Sequence, residues 1–192
     1  MTTDWLLNEV AMITETNLDW MKKRYRLYSE NQLNWKPNKD TWSLNEIFAH
    51  LNEYANFYHS VIFKRLETTK YRTPSATFSS SPLGKSAWGS MKLGNAKNIK
   101  RKFNAPKLYN PSINKQLVSG NDCQTFEEKQ REFLALLEQV TTVNLRKVRV
   151  PIAISKFVRL RLGDALLFVA YHNERHMQQA MNISKLPAFP KK

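Results

Sequence analysis

The spacing of apolar residues along the chain predicts four helices. Apolar side chains recur every three or four residues, as one buried helix face requires, over about residues 4–29, 43–67, 125–146 and 163–184. Between the second and third helices, residues 68–121 hold four of the eight prolines and four of the five glycines. This composition predicts a long crossover with at most short helical pieces. We therefore expect the 192 residues to form one all-α domain.

Local sequence signals mark several helix ends. Ser43 and Glu46 form a capping box, in which the Ser side chain and the Glu side chain satisfy free amides of the first helical turn. The segment Thr125–Glu128 predicts a second capping box at the start of the third helix. Residues 31–37 should end the first helix, and residues 146–162, rich in β-branched side chains, should be an extended connection.

Three of the four histidines fall on helix faces that should be buried. His172 and His176 are four residues apart, and so lie one above the other on the inward stripe of the last helix. His50 lies on the inward stripe of the second helix. His59 is nine residues from His50, about 180° around the same helix. We therefore exclude His59 from any site that uses His50.

Two explanations fit inward-facing imidazoles. They can be hydrogen-bonded core residues, because a buried polar group without a partner costs about 1–3 kcal/mol. They can also bind one metal ion, since inward side chains of facing helices form the metal sites of helical bundles. Three neutral imidazoles suit Zn, Ni, Fe or Cu, and three protein ligands leave coordination positions open for catalysis. One turn away, Glu53, Tyr54 and Gln179 are candidates to orient a ligand or to act as acid or base.

The crossover carries much of the positive charge of the chain. The chain carries a net charge of +14, and no acidic residue lies between Glu67 and Asp122. The crossover can be a solvated surface, an electropositive lid that attracts an anionic thiol or an acidic substrate, or a nucleic-acid surface. No helix-turn-helix, zinc-finger or RNA-binding motif supports the last alternative. Its ten cations are Lys70, Arg72, Lys85, Lys92, Lys97, Lys100, Arg101, Lys102, Lys107 and Lys115.

Composition also limits the cellular compartments in which the chain is expected. No run approaches the roughly 18 apolar residues of a membrane-spanning helix, and the first residues lack a signal-peptide pattern. These features predict a cytoplasmic protein without a membrane partner. The single cysteine, Cys123, excludes an internal disulfide framework. We interpret it as an incidental residue rather than a redox or catalytic thiol.

Three motifs stand out together. Trp42-Ser43 opens the helix of His50, the crossover contains Ala105-Pro106-Lys107, and Leu162-Gly163-Asp164 leads to His172-Asn173-Glu174-Arg175-His176 with Gln179. In these motifs the chain resembles the DinB-like (YfiT-like) superfamily of proposed metalloenzymes. It implies a four-helix bundle with an up-down-down-up course and a Zn or Ni ion on His50, His172 and His176. It also implies a homodimer.

The resemblance and the residues together leave three functions open. The first is a metal-dependent S-transferase that uses a low-molecular-weight thiol similar to bacillithiol, with a small substrate that can be anionic. The second is a metal-dependent hydrolase on the same three histidines, because a metal ion activates water as it activates a thiol. The third is a non-catalytic protein that binds polyanions through the basic crossover 68–121.

Overall fold

The computed structural model of the chain describes residues 1–96, 98–99 and 103–191. Within these residues the chain is mostly helical, with six α-helices and one two-stranded antiparallel sheet. In chain order the elements are α1 (Thr3–Lys23), α2 (Glu30–Asn34), α3 (Leu44–Thr68), α4 (Pro82–Met91), α5 (Asp122–Val140), β1 (Arg149–Ile152), β2 (Ser155–Arg161) and α6 (Leu162–Ser184).

The four long helices pack pairwise around the core. Helix α3 packs against α5 and α6, and α1 packs against the same two helices. A buried amide group joins three of them, because Gln130 of α5 accepts hydrogen bonds from Asn17 of α1 and Asn173 of α6, each at 3.4 Å. Directional bonds of this kind limit the rotation of a helix about its own axis. They help to fix which face of α6 points toward α3.

The start of α3 agrees with the sequence prediction, and the end of the first helix does not. Ser43 accepts a hydrogen bond from the amide of Glu46, whose carboxylate accepts one from the Ser43 amide. The first helix was predicted to continue to about residue 29, but α1 ends at Lys23. A 3-10 turn at Tyr25–Leu27 follows, and Ser29 then caps the separate short helix α2.

The predicted capping box at Thr125–Glu128 is wrong. Helix α5 begins three residues earlier, at Asp122, whose carboxylate accepts hydrogen bonds from the amides of Ser119 and Gly120. Asp122 thus provides an acceptor for two backbone amides of the preceding turn. The helix dipole also favours an acidic side chain at this end of the helix. The helix ends at Val140 and not near residue 146.

Aromatic residues in the crossover indicate that it packs on the helices, and the structure shows such packing over much of its length. It contains α4, which packs against α6, and the rings of Phe78 and Tyr109 are buried. Tyr71 and Phe103, which the same argument would bury, are instead partly exposed, at 36% and 49%. Four of the ten crossover cations lie outside the described residues: Lys97, Lys100, Arg101 and Lys102.

Residues 146–162, predicted as an extended connection, form a β-hairpin. Strands β1 and β2 pair antiparallel, with Val150 opposite Leu160 and both side chains buried. The hairpin leads directly into α6, because the Leu162 amide donates to the Val148 carbonyl. Among the described helices, none is both long enough and apolar enough to cross a membrane.

Candidate metal centre

Helices α3 and α6 bring three imidazoles together inside the protein. One ring nitrogen from each of His50, His172 and His176 can be chosen so that all three lie within 4.8 Å of one another. The Nε2 atoms of His50 and His172 are 3.3 Å apart. Two nitrogens bound tetrahedrally to one zinc ion at about 2.0–2.1 Å would be separated by about 3.3–3.4 Å. The observed spacing therefore fits a shared ion.

Hydrogen bonds fix which nitrogen of two of these rings carries the proton. The Nδ1 of His50 lies 2.6 Å from the backbone carbonyl of Tyr109, and since a carbonyl only accepts, Nδ1 must donate. The Nδ1 of His176 donates in the same way to Oε1 of Gln179 at 3.0 Å. Both rings consequently present an unprotonated Nε2, which is the form that binds a metal.

Aromatic rings enclose the three histidines. The Tyr54 ring lies 4.4 Å from His172 and 4.9 Å from His50, measured between centroids. Phe168 stacks on His172 with a centroid distance of 5.6 Å, and Trp42 stacks on His176 at 6.1 Å. His50 and His172 are buried, while His176 is partly exposed. Aromatic rings thus screen the centre, and His176 is the most accessible of its three histidines.

The electrostatic surroundings keep the imidazoles neutral. Burial lowers the pKa of His50 to about 4, and the hydrogen bond to Tyr109 opposes this shift only in part. Burial, and then the neighbouring histidines and Arg175, lower the pKa of His172 well below its ordinary value. The pKa of His176 is lowered in the same direction, also chiefly by burial. Neutral imidazoles bind a cation without first releasing a proton.

The other candidate residues lie at different distances from this cluster. Tyr54 packs against it, and burial raises the pKa of its hydroxyl to about 12, so that the group stays protonated at neutral pH. Gln179 orients His176, as described above. Glu53 does not belong to the group of possible ligands; its carboxylate accepts a hydrogen bond from Asn56 at 3.3 Å. Among the described residues, that group contains no carboxylate.

His59 lies away from the cluster, as the helical spacing predicted. Its Nδ1 is 3.3 Å from a carboxylate oxygen of Glu132 on α5, and its ring stacks on Phe133 with a centroid distance of 5.4 Å. The thiol of Cys123 is not activated, because burial raises its pKa to about 12. A thiol with so high a pKa is a poor nucleophile at neutral pH.

Two contributors to the centre were missed in the sequence. Tyr109 belongs to the crossover, yet its carbonyl orients His50 and its ring packs 4.6 Å from Tyr54. A backbone carbonyl has no sequence signal, so only the folded path of the crossover reveals this role. Arg175 lies between the two histidines of α6 and helps to lower the pKa of both. The sequence shows Arg175 between His172 and His176, but the direction in which its side chain points depends on tertiary packing.

Comparison with protein-family models places this arrangement in context. The model described as the DinB superfamily matches residues 12–180, which include all three histidines and most of the chain. The chain belongs to the DinB superfamily. No significant match was found among curated proteins or among solved structures. DinB superfamily membership and the three-histidine cluster together suggest a metal-dependent enzyme.

Proposed function

We propose that this DinB superfamily protein binds one divalent transition-metal ion, Zn or Ni, through His50, His172 and His176. The observation that carries the proposal is the convergence of three ring nitrogens within 4.8 Å inside the protein. Nitrogen ligands suit these ions better than Mg or Ca, which prefer oxygen. Because all three ligands are neutral, the positive charge of the ion would not be cancelled, and an anionic fourth ligand would be favoured.

We further propose that the reaction is the transfer of a low-molecular-weight thiol to a small electrophile. When bound, the ion would supply a lowered pKa for a coordinated thiol, as it would for water. Three neutral imidazoles would serve a coordinated thiol and a coordinated water alike, and we place thiol transfer first because a thiolate attacks without a further base. Hydrolysis of an ester or amide on the same histidines is the alternative that the experiment below distinguishes.

The surrounding side chains have defined tasks in this proposal. The Tyr109 carbonyl and Gln179 accept hydrogen bonds from Nδ1 of His50 and His176, which leaves the Nε2 of each ring free to bind the ion. Tyr54, with its pKa raised to about 12, can donate a hydrogen bond to the substrate or its leaving group, but cannot act as a base at neutral pH. The rings of Trp42 and Phe168 exclude water from the reacting groups.

The finer features of the architecture are part of the same proposal. The pairwise packing of α1, α3, α5 and α6 supports a four-helix bundle with an up-down-down-up course. A homodimer, a small anionic substrate and a cytoplasmic location remain predictions from the sequence. Nucleic acid and membrane are not proposed as partners of the metal centre.

The test is thiol conjugation by protein reconstituted with Zn or Ni. Wild type and His172→Ala are each given a panel of low-molecular-weight thiols with an alkyl or aryl halide, and product is measured by mass spectrometry. We expect conjugation to fall at least about tenfold in His172→Ala, the effect of losing one ligand. His59→Ala, which removes a histidine outside the cluster, should retain the wild-type rate. Circular dichroism confirms that each variant is folded.

Other results would contradict thiol transfer in distinct ways. Ester or amide hydrolysis without conjugation, lost in His172→Ala, would assign a hydrolase to the same centre. Conjugation at an equal rate in wild type and His172→Ala would show that the histidines have no catalytic part.

A further inference from the structure

A second site lies away from the histidines, between the start of the crossover and the β-hairpin. It is an open pocket with a volume of about 570 Å³. Four cationic side chains line it: Arg146, Lys147, Arg149 and Arg161. Small-molecule sites typically occupy about 300–1,000 Å³, so that this pocket can hold a compact ligand.

Negative charge is missing from the pocket. None of its lining residues is acidic, and within the described residues none of the four cations forms an ion pair with a carboxylate. From Glu138 to Asp164 the sequence has six cations and no acidic residue between those two positions. Asp164 itself faces α4, where its carboxylate accepts hydrogen bonds from Ser81. The positive charge of the pocket is therefore not neutralised locally.

The backbone around the pocket is fixed by hydrogen bonds. The amide of Asn144 donates to the Tyr71 carbonyl at 3.0 Å, and its side-chain nitrogen donates to the Thr73 carbonyl at 3.3 Å. The Arg161 guanidinium donates to the carbonyl of Ser79. These contacts join the crossover to the hairpin. They hold the backbone of this region and the Arg161 side chain in place before any ligand arrives, which reduces the ordering cost of binding.

The strand register places two positive charges opposite one another, and a bound anion would offset their repulsion. Arg149 and Arg161 are paired directly opposite one another on β1 and β2. Like charges in directly opposite positions of an antiparallel pair destabilise a hairpin. An anion between the two guanidinium groups converts this repulsion into two charge-assisted interactions.

We infer that this pocket binds a phosphate-bearing anion through Arg146, Lys147, Arg149 and Arg161. Phosphate oxygens match the planar guanidinium fork, and a doubly charged group suits several cations at once. The partly exposed Tyr71 ring, with the Nζ atoms of Lys70 and Lys147 each 5.8 Å from its centroid, provides a flat wall beside the cations. None of its lining residues belongs to the three-histidine cluster.

Two sources could supply such a phosphate, a soluble phosphate ester or a lipid headgroup. The hairpin tip bears on this point, because Phe157 is 96% exposed and Ile154 is 66% exposed. Lys156 and Arg159 lie beside them and are also exposed. Exposed apolar and basic side chains together are typical of segments that touch an anionic membrane surface. Substitution of Phe157 therefore separates the two sources.

The experiment is calorimetric titration of the full-length protein with inorganic pyrophosphate at low salt. We expect saturable binding that weakens about tenfold or more in the double variant Lys147→Gln/Arg149→Gln, through loss of charge-assisted contacts. Both side chains are exposed, so the variant should fold. The matched control is Lys39→Gln/Lys185→Gln, which removes the same charge at exposed positions elsewhere and should leave the affinity unchanged.

A second pair of measurements shows where pyrophosphate binds and which source of phosphate the pocket takes. The affinity in His172→Ala should equal that of wild type, because pyrophosphate bound at the metal centre would be lost there. Vesicles of phosphatidylcholine with phosphatidic acid are then tested beside pyrophosphate. Weaker vesicle binding by Phe157→Ser, with pyrophosphate binding unchanged, identifies a lipid headgroup as the source; no vesicle binding identifies a soluble phosphate.

Three outcomes would overturn the inference. The first is no saturable binding of either probe, and the second is binding that is equal in wild type and Lys147→Gln/Arg149→Gln. The third is duplex DNA binding that depends on Lys147 and Arg149 while pyrophosphate does not bind, which would make the surface a nucleic-acid site.

Discussion

At the scale of single residues, the orientation of the histidines matters as much as their presence. His50 and His176 each donate Nδ1–H to an oxygen, and this leaves Nε2 free to bind a cation. Without an ion, the Nε2 atoms of His50 and His172 face each other at 3.3 Å, so that His172 must supply the proton between them. The same cluster can therefore exist as hydrogen-bonded imidazoles or as a metal site, and metal affinity distinguishes the two.

Gln179 should influence metal affinity without touching the ion. Replacing it in Gln179→Ala removes the acceptor for His176 Nδ1, and we expect metal affinity to fall about 10–100-fold. Gln179→Glu keeps an acceptor and should restore most of the affinity. Competition with a chelator measures the change. Gln178→Ala is the matched control, because Gln178 bonds only Asn182 among its side-chain contacts within the described residues; an equal loss there would contradict the orienting role.

Acid should destabilise the metal-free protein through these histidines. In the folded chain burial lowers the pKa of His50 to about 4 and lowers the pKa of His172 and His176 in the same direction. Below about pH 6.5 the unfolded chain therefore binds protons that the folded chain does not. Each such histidine lowers the free energy of unfolding by about 1.4 kcal/mol per pH unit. Stability should thus decrease from pH 7 to pH 5.

Urea unfolding in the presence of a chelator measures this dependence. His172→Asn, which cannot titrate in this range, should show a shallower pH dependence than wild type. A free energy of unfolding that is constant or increases between pH 7 and pH 5 would contradict neutral, buried imidazoles.

At the scale of elements, the start of α3 positions His50. The capping box at Ser43 lies two turns before His50, and Ser43→Ala should lower the free energy of unfolding by about 1 kcal/mol. Urea unfolding provides the measurement. Ser60→Ala on the same helix, where Ser60 is exposed, is the control and should change stability little. A smaller loss in Ser43→Ala than in Ser60→Ala would show that the cap does not matter.

The contact between α4 and α6 depends on a small residue. A Cβ atom on Gly84 would collide with the Asp164 carboxylate, which is held by Ser81. We expect Gly84→Ala to lower the free energy of unfolding by about 1–3 kcal/mol. Gly89→Ala on the same helix meets no atom within 4 Å and should be stabilising, because Ala favours the helix by about 1 kcal/mol. Equal thermal stability of the two variants would contradict this packing.

The element scale also shows what could be predicted from the sequence. The helical stripes and the Ser43 capping box correctly placed α3 and α6, and so brought His50 to the same region as His172 and His176. The hairpin and α4 could not be recognised, because short strands and a ten-residue helix with two glycines have weak local signals. The role of Tyr109 depends on a contact 59 residues away in the chain, which no local pattern contains.

At the scale of the whole molecule, the positive charge is spread over more than one region. The sequence places ten cations and no acidic residue in the crossover, and among its described cations only Lys115 forms an ion pair, with Glu46. The hairpin adds a second group that lines a defined pocket. Attraction of anions toward the protein is therefore expected to be sensitive to salt, since a Debye length of about 8 Å at physiological ionic strength screens distant charges.

The most direct test of the metal centre is the metal content of the untagged protein. Wild type, His50→Ala, His176→Ala and the control His59→Ala are dialysed against a weak chelator, offered Zn or Ni, and analysed by elemental mass spectrometry beside protein concentration. We expect about one ion per chain in wild type and His59→Ala, and little or none in the other two variants. No stoichiometric ion in wild type, or equal metal content in all four proteins, would contradict the three-histidine centre.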